Sequence, residues 1–165
     1  MIKMDALKKM LENMGFQNVE TYIQSGNVFV DSEEENAASV GFKIKQEIAK
    51  VFGHDVPVVA IGKEDLELCF KNNPYLKEKD CDTKKLYVAF ITKELSPLAL
   101  NDLKISNFKP DEAAIDSSRI YVKYAVGAGK TKLDQKYIEK KLNVVATIRN
   151  WNTVTTLLTI FDSKK

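Results

Sequence analysis

Two segments ninety-two residues apart, Ser25-Gly26-Asn27-Val28-Phe29-Val30 and Ser117-Ser118-Arg119-Ile120-Tyr121-Val122, each stand between a β-rich run and an amphipathic helical pattern. A turn-and-strand signal repeated in the same local order constrains the chain to one α+β unit built twice. Architecture is therefore the clearest message of the sequence. Chemistry is confined to a few turns.

In the first copy, Met4, Leu7, Met10, Leu11 and Met14 recur at helical spacing, and Gly15 follows as a C-terminal cap. Val19 to Gln24 and Val28 to Val30 are β-rich runs joined through Ser25-Gly26-Asn27, residues that tolerate positive φ. A helix is expected from Glu34 to Phe52, then a short apolar strand from Val56 to Ile61. The second copy adds an opening strand, Lys85 to Ile91. A helix beginning near Ser96-Pro97 follows it, then a hairpin of Asp111 to Ile115 with Arg119 to Tyr124. A helix from Thr131 to Leu142 and a strand from Val144 to Ile148 complete the split βαβ order.

The expected fold class is thus α+β, two ferredoxin-like units in tandem, the first missing its opening strand, with an extra C-terminal helix after Asn150. The expected organisation is a subdomain at 1–62, a linking helix and loop at 63–83, and a second subdomain at 84–165. Without its opening strand the first unit presents an open sheet edge, which a strand from elsewhere or from a second copy can fill. A homodimer through that edge is one expected partnership.

Apolar runs such as Val56 to Ile61 are too short to span a bilayer and no signal-peptide pattern opens the chain, so a cytoplasmic protein without a membrane partner is expected. Cys69 and Cys81 form no ligand-spaced cluster with the single histidine, His54, so no metal and no cofactor is expected. Residues 1–117 hold 15 Lys or Arg against 20 Asp or Glu, whereas residues 118–165 hold 10 against 3. A basic C-terminal third attracts an anionic partner, unless its lysines only solvate the surface.

Gly127-Ala128-Gly129-Lys130-Thr131-Lys132 lies between a strand and a helix and invites a phosphate. A nucleotide-binding loop would need another glycine five residues before Gly129, where Tyr124 stands. What remains is a small anionic or phosphorylated ligand at Gly127, Gly129, Lys130 and Lys132, with Arg149 as a bidentate donor and Asn150 beside it. The competing account makes Thr131 and Asp134 a capping pair and the lysines a solvated face. Strand alternation places Arg119, Tyr121 and Lys123 on one face, so single-stranded RNA is a further possible partner, although the basic-Gly-aromatic opening of an RNA-binding strand is absent. No catalytic constellation accompanies His54 or the Glu33-Glu34-Glu35 run.

Ile2-Lys3-Met4, Thr21 to Val28, Gly127-x-Gly129-Lys130-Thr131-Lys132-Leu133 and Thr147-Ile148-Arg149-Asn150-Trp151-Asn152-Thr153-Val154 together resemble the bacterial family called domain of unknown function 1697. The resemblance covers essentially the whole chain. It implies a further strand ahead of this first helix, ending in Arg-Gly-Ile-Asn-Val-Gly-Gly, which the sequence lacks. It also makes the hairpin tip, Ser25 with Asn27, a candidate ligand contact. The family carries a fold and no assigned function.

Overall fold

The computed structural model describes residues 2–22 and 26–164, with Lys130 described by its backbone alone. The protein mixes helices with two antiparallel sheets and divides into two compact units, Met1–Ala60 and Ile61–Lys165.

In the first unit, helix α1 (Met4–Asn13) is followed by strands β1 (Gln17–Tyr22) and β2 (Asn27–Asp31), then by helix α2 (Ala37–Phe52). The expected hairpin forms, with β1 and β2 antiparallel and Tyr22 opposite Asn27. α2 starts later than the acidic run because Asn36, whose side chain accepts from Ser39 N at 3.2 Å, is the cap. Leu7, Met10, Leu11, Val19 and Ile48 form the buried core, with Val28, Val30, Val56 and Val58 packed against it.

The expected strand at Val56–Ile61 is not there as a strand: this stretch has no regular ladder among the described residues. Its apolar run marked a stretch that packs against the core, half-buried, and said nothing of hydrogen bonding. A strand is defined by a partner, and Pro57 offers no N–H. The stretch still packs closely. A Cβ built on Gly41 of α2 would stand 3.3 Å from the Ala60 Cβ and 3.7 Å from the Val58 oxygen, so glycine is what lets α2 settle onto it.

The second unit begins with α3 (Lys63–Asn72), then runs through β3 (Leu86–Ile91), α4 (Ala99–Leu103), β4 (Glu112–Asp116), β5 (Arg119–Lys123), α5 (Gln135–Leu142), β6 (Ala146–Asn150) and α6 (Trp151–Ser163). Its four strands lie in the order β4-β5-β3-β6, all neighbours antiparallel. Ala89, Ile91, Ile120, Val122, Tyr124, Leu133, Ile138 and Leu142 form the core on one face of the sheet. On the other face, α3 and α6 meet through the rings of Phe70 and Trp151, 4.8 Å apart. Covered on both sides, β3 has no charged residue and is buried at every position except Tyr87.

In this unit, as with α2, two helix starts differ from expectation. α4 is a five-residue helix opening at Ala99, because the Ser96 hydroxyl accepts from Leu98 N and holds the preceding residues in a turn. α5 opens at Gln135, capped by Asp134, whose carboxylate accepts from Tyr137 N at 2.9 Å. Thr131 is therefore not the cap of that helix.

Candidate functional site

β5 ends at Lys123, and the chain turns through Ala125 to Leu133 before α5 begins. Gly127 has φ +94°, a conformation a side chain would strain. The turn is closed from within by a residue that sequence inspection passed over. Asp111, only 6% exposed, accepts from Ala125 N at 2.9 Å and from the Thr131 hydroxyl at 2.8 Å. Thr131 Oγ1 in turn accepts from Leu133 N at 3.0 Å, and the Tyr124 hydroxyl donates to the Leu133 carbonyl at 2.7 Å. A carboxylate thus sits where a phosphate-binding loop would present its threonine. Gly129 and Lys132 are exposed, while the Lys130 side chain lies outside the described residues.

Arg149 stands on β6 opposite Val88, on the face away from the core that Ala128 of the turn packs against. Its Nη1 donates to Thr147 Oγ1 at 2.6 Å and to the Ile148 carbonyl at 3.0 Å. Burial draws its pKa below the ordinary value. Asn150 caps α6, its side chain accepting from Thr153 N at 2.8 Å. Gly127, Gly129 and Lys132 therefore share one turn, and Arg149 and Asn150 are engaged within the sheet edge and the helix start. In the first unit Ser25 lies outside the described residues and Asn27 is buried at the start of β2.

The face carrying Arg119 and Tyr121 is not an open platform. Tyr121 is 1% and Arg119 4% exposed. Arg119 donates to Asp116 at 2.9 Å and lies 3.5 Å from Asp65, and the Tyr121 hydroxyl and Asn72 Nδ2 each reach Asp116 at 3.0 Å. Tyr87, paired with Val122, belongs to the opposite face and stacks edge-on with Tyr124 at 5.0 Å. Lys123 is held between Glu78 and Glu112 at 3.2 and 3.3 Å. Bases cannot stack on rings already used in two separate interiors.

The two sheets treat their edges differently. Among the described residues β2 is laddered on one side only, by β1. On β6 the groups facing away from β3 are met by side chains: Gln135 Oε1 accepts from Ile148 N at 3.1 Å and Glu139 Oε2 from Ala146 N at 3.1 Å. Gln135 and Glu139 were also missed at the level of sequence. Their signal was an acceptor pair at i, i+4 on a helix directly preceding an edge strand. No group of three His, Cys, Asp or Glu able to hold a metal occurs among the described residues. No helix there is long and apolar enough to cross a membrane.

The chain belongs to the family described as "Protein of unknown function (DUF1697)", whose profile matches residues 1–121. Its fold is similar to that of the conserved bacterial protein SP0830 from Streptococcus pneumoniae, with 22% identity, 96% of this chain and 88% of that chain covered, and a TM-score of 0.67. No curated protein matches it.

Proposed function

We propose that this chain is an interaction module whose first unit accepts an added strand along β2, the strand coming from a second copy of the chain. The one-sided pairing of β2 among the described residues carries this proposal. β2 carries one charge, Asp31 at its end, and no lysine or proline, the residues that most often blunt an unpaired strand edge. Strand addition uses backbone hydrogen bonds for affinity and alternate side chains for register.

The second unit supports the same proposal by contrast. We take it as ferredoxin-like, on the element order β3-α4-β4-β5-α5-β6 and the spatial order β4-β5-β3-β6. The first unit matches α4, β4, β5, α5 and β6 with α1, β1, β2, α2 and the extended stretch at Val56–Ala60. The place corresponding to β3, hydrogen-bonded on both sides in the second unit, then falls beside β2. Sedimentation velocity across a wide concentration range tests the proposal. A mass rising from 18.6 kDa toward twice that value is expected, and an unchanging 18.6 kDa overturns it.

A second reading places a small anionic or phosphorylated ligand at the Gly127–Lys132 turn. The exposure of Gly129 and Lys132 supports it; the Asp111 carboxylate inside the turn and the bonds Arg149 already makes weigh against it. Thermal shifts with phosphate, sulfate, nucleotides or citrate test it, and the absence of any shift rejects it.

A further inference from the structure

β6 is an edge strand, and the pairing shows which of its groups face outward. Thr92 N donates to the Val145 carbonyl at 3.1 Å, and Thr147 and Arg149 stand opposite Phe90 and Val88. In an antiparallel ladder alternate residues exchange hydrogen bonds, so Val145, Thr147 and Arg149 turn their backbone groups toward β3. Ala146 and Ile148 turn theirs outward, where an incoming strand would find them.

Three of these outward groups are already taken by side chains. Glu139 accepts from Ala146 N and Gln135 from Ile148 N, both at 3.1 Å, and Arg149 Nη1 donates to the Ile148 carbonyl at 3.0 Å. The spacing explains why a helix can do this. Residues four apart on a helix are separated by about 6 Å along its axis, and residues two apart on a strand by about 6.6 Å. A helix running antiparallel to the strand therefore delivers acceptors at i and i+4 to amides at j+2 and j. α5 turns Ile138 and Leu142 into the core and meets the outward amides with Gln135 and Glu139, so the covering of those amides depends on those side chains.

We infer that Gln135, Glu139 and Arg149 form a side-chain latch over β6, closing an edge that would otherwise pair antiparallel with β6 of a second copy. The latch satisfies both outward donors and one outward acceptor, as a neighbouring strand would, and it occupies the space that strand needs. It also assigns Arg149 a role within the sheet in place of a ligand contact. The inference stands apart from the proposal at β2, because it concerns a different sheet and a different set of hydrogen bonds.

Amide hydrogen exchange and sedimentation of the full chain test it. In the unaltered protein the Ala146 and Ile148 amides are expected to exchange slowly at high dilution, although they belong to an edge; exchange as fast as that of loop amides overturns the latch. In the double variant Gln135→Ala, Glu139→Ala, both amides are expected to exchange roughly tenfold faster or more, and the protein is expected to self-associate. Assemblies larger than a dimer indicate that β2 and β6 edges both pair, since two self-pairing edges on one chain make an open polymer. A dimer formed by the variant alone supports the latch and rejects pairing at β2. Unchanged exchange at both amides, or a variant whose mass follows that of the unaltered chain at every concentration, overturns the latch. Glu139→Gln keeps an acceptor at the same reach and is expected to behave as the unaltered chain.

Discussion

Asp111 and Thr131, twenty residues apart, are joined by a 2.8 Å hydrogen bond that closes the glycine-lysine turn from inside. The same carboxylate accepts from Ala125 N, so one buried group fixes both ends of the turn. Asp111→Ala leaves two part-buried donors without their acceptor and is expected to cost about 1–3 kcal/mol. Thr131→Ser, which keeps the hydroxyl, should cost well under half as much. Urea denaturation of the three proteins, followed by the fluorescence of the single tryptophan, measures the difference.

Asp116 gathers bonds from Arg119, Asn72 and Tyr121. Burial alone would push its carboxyl up, but those hydrogen bonds and the Arg119 charge outweigh burial and hold it below the usual range. A carboxylate depressed in the folded state contributes stability that is fully present above its unfolded pKa and fades as pH falls through the folded one. Unfolding free energy should therefore fall in acid below about pH 4, the ordinary carboxylate range. Asp116→Asn is expected to flatten that acid limb and to lower stability at pH 7, because buried Arg119 loses its nearest partner. An acid limb identical in both proteins contradicts the assignment.

Cys69 is fully buried, and burial pushes its thiol up to about 12. Cys81 is half-exposed. A thiol reagent at pH 8 should modify one cysteine of the native protein rapidly, and peptide mapping should place it at Cys81. Cys69 should react only after denaturant is added. Rapid native modification of Cys69 would mean that the face beneath α3 opens on its own.

Trp151 is 4% exposed and packs its ring against Phe70. Trp151→Phe should cost about 1–3 kcal/mol and Trp151→Ala about 3–5 kcal/mol, both read from thermal or urea unfolding by circular dichroism. Equal stability for all three would show that α6 is not held to α3 through this contact.

Much of the fold was legible because it depends on local pattern. Met4, Leu7, Met10 and Leu11 mark α1 by spacing alone, and the apolar run from Leu86 marks β3. The stretch from Val56 to Ile61 was misjudged because an apolar run reports packing and says nothing of a hydrogen-bonding partner. The start of α5 was misplaced because Thr131 and Asp134 are both good caps, and what decided between them is Asp111, contributed by a distant turn. For the same reason the candidate site read differently in three dimensions. Lysines and glycines announce themselves in a sequence, whereas Asp111, Gln135 and Glu139 acquire their roles only from the backbone groups that tertiary structure brings to them.

The most direct measurement is residue-resolved amide hydrogen exchange of the full chain at several protein concentrations, comparing β2 with β6. Outward amides of β2 should gain protection as concentration rises through the dimer's dissociation constant, while those of Ala146 and Ile148 stay protected throughout. Protection along β2 that does not change with concentration would contradict strand addition from a second copy.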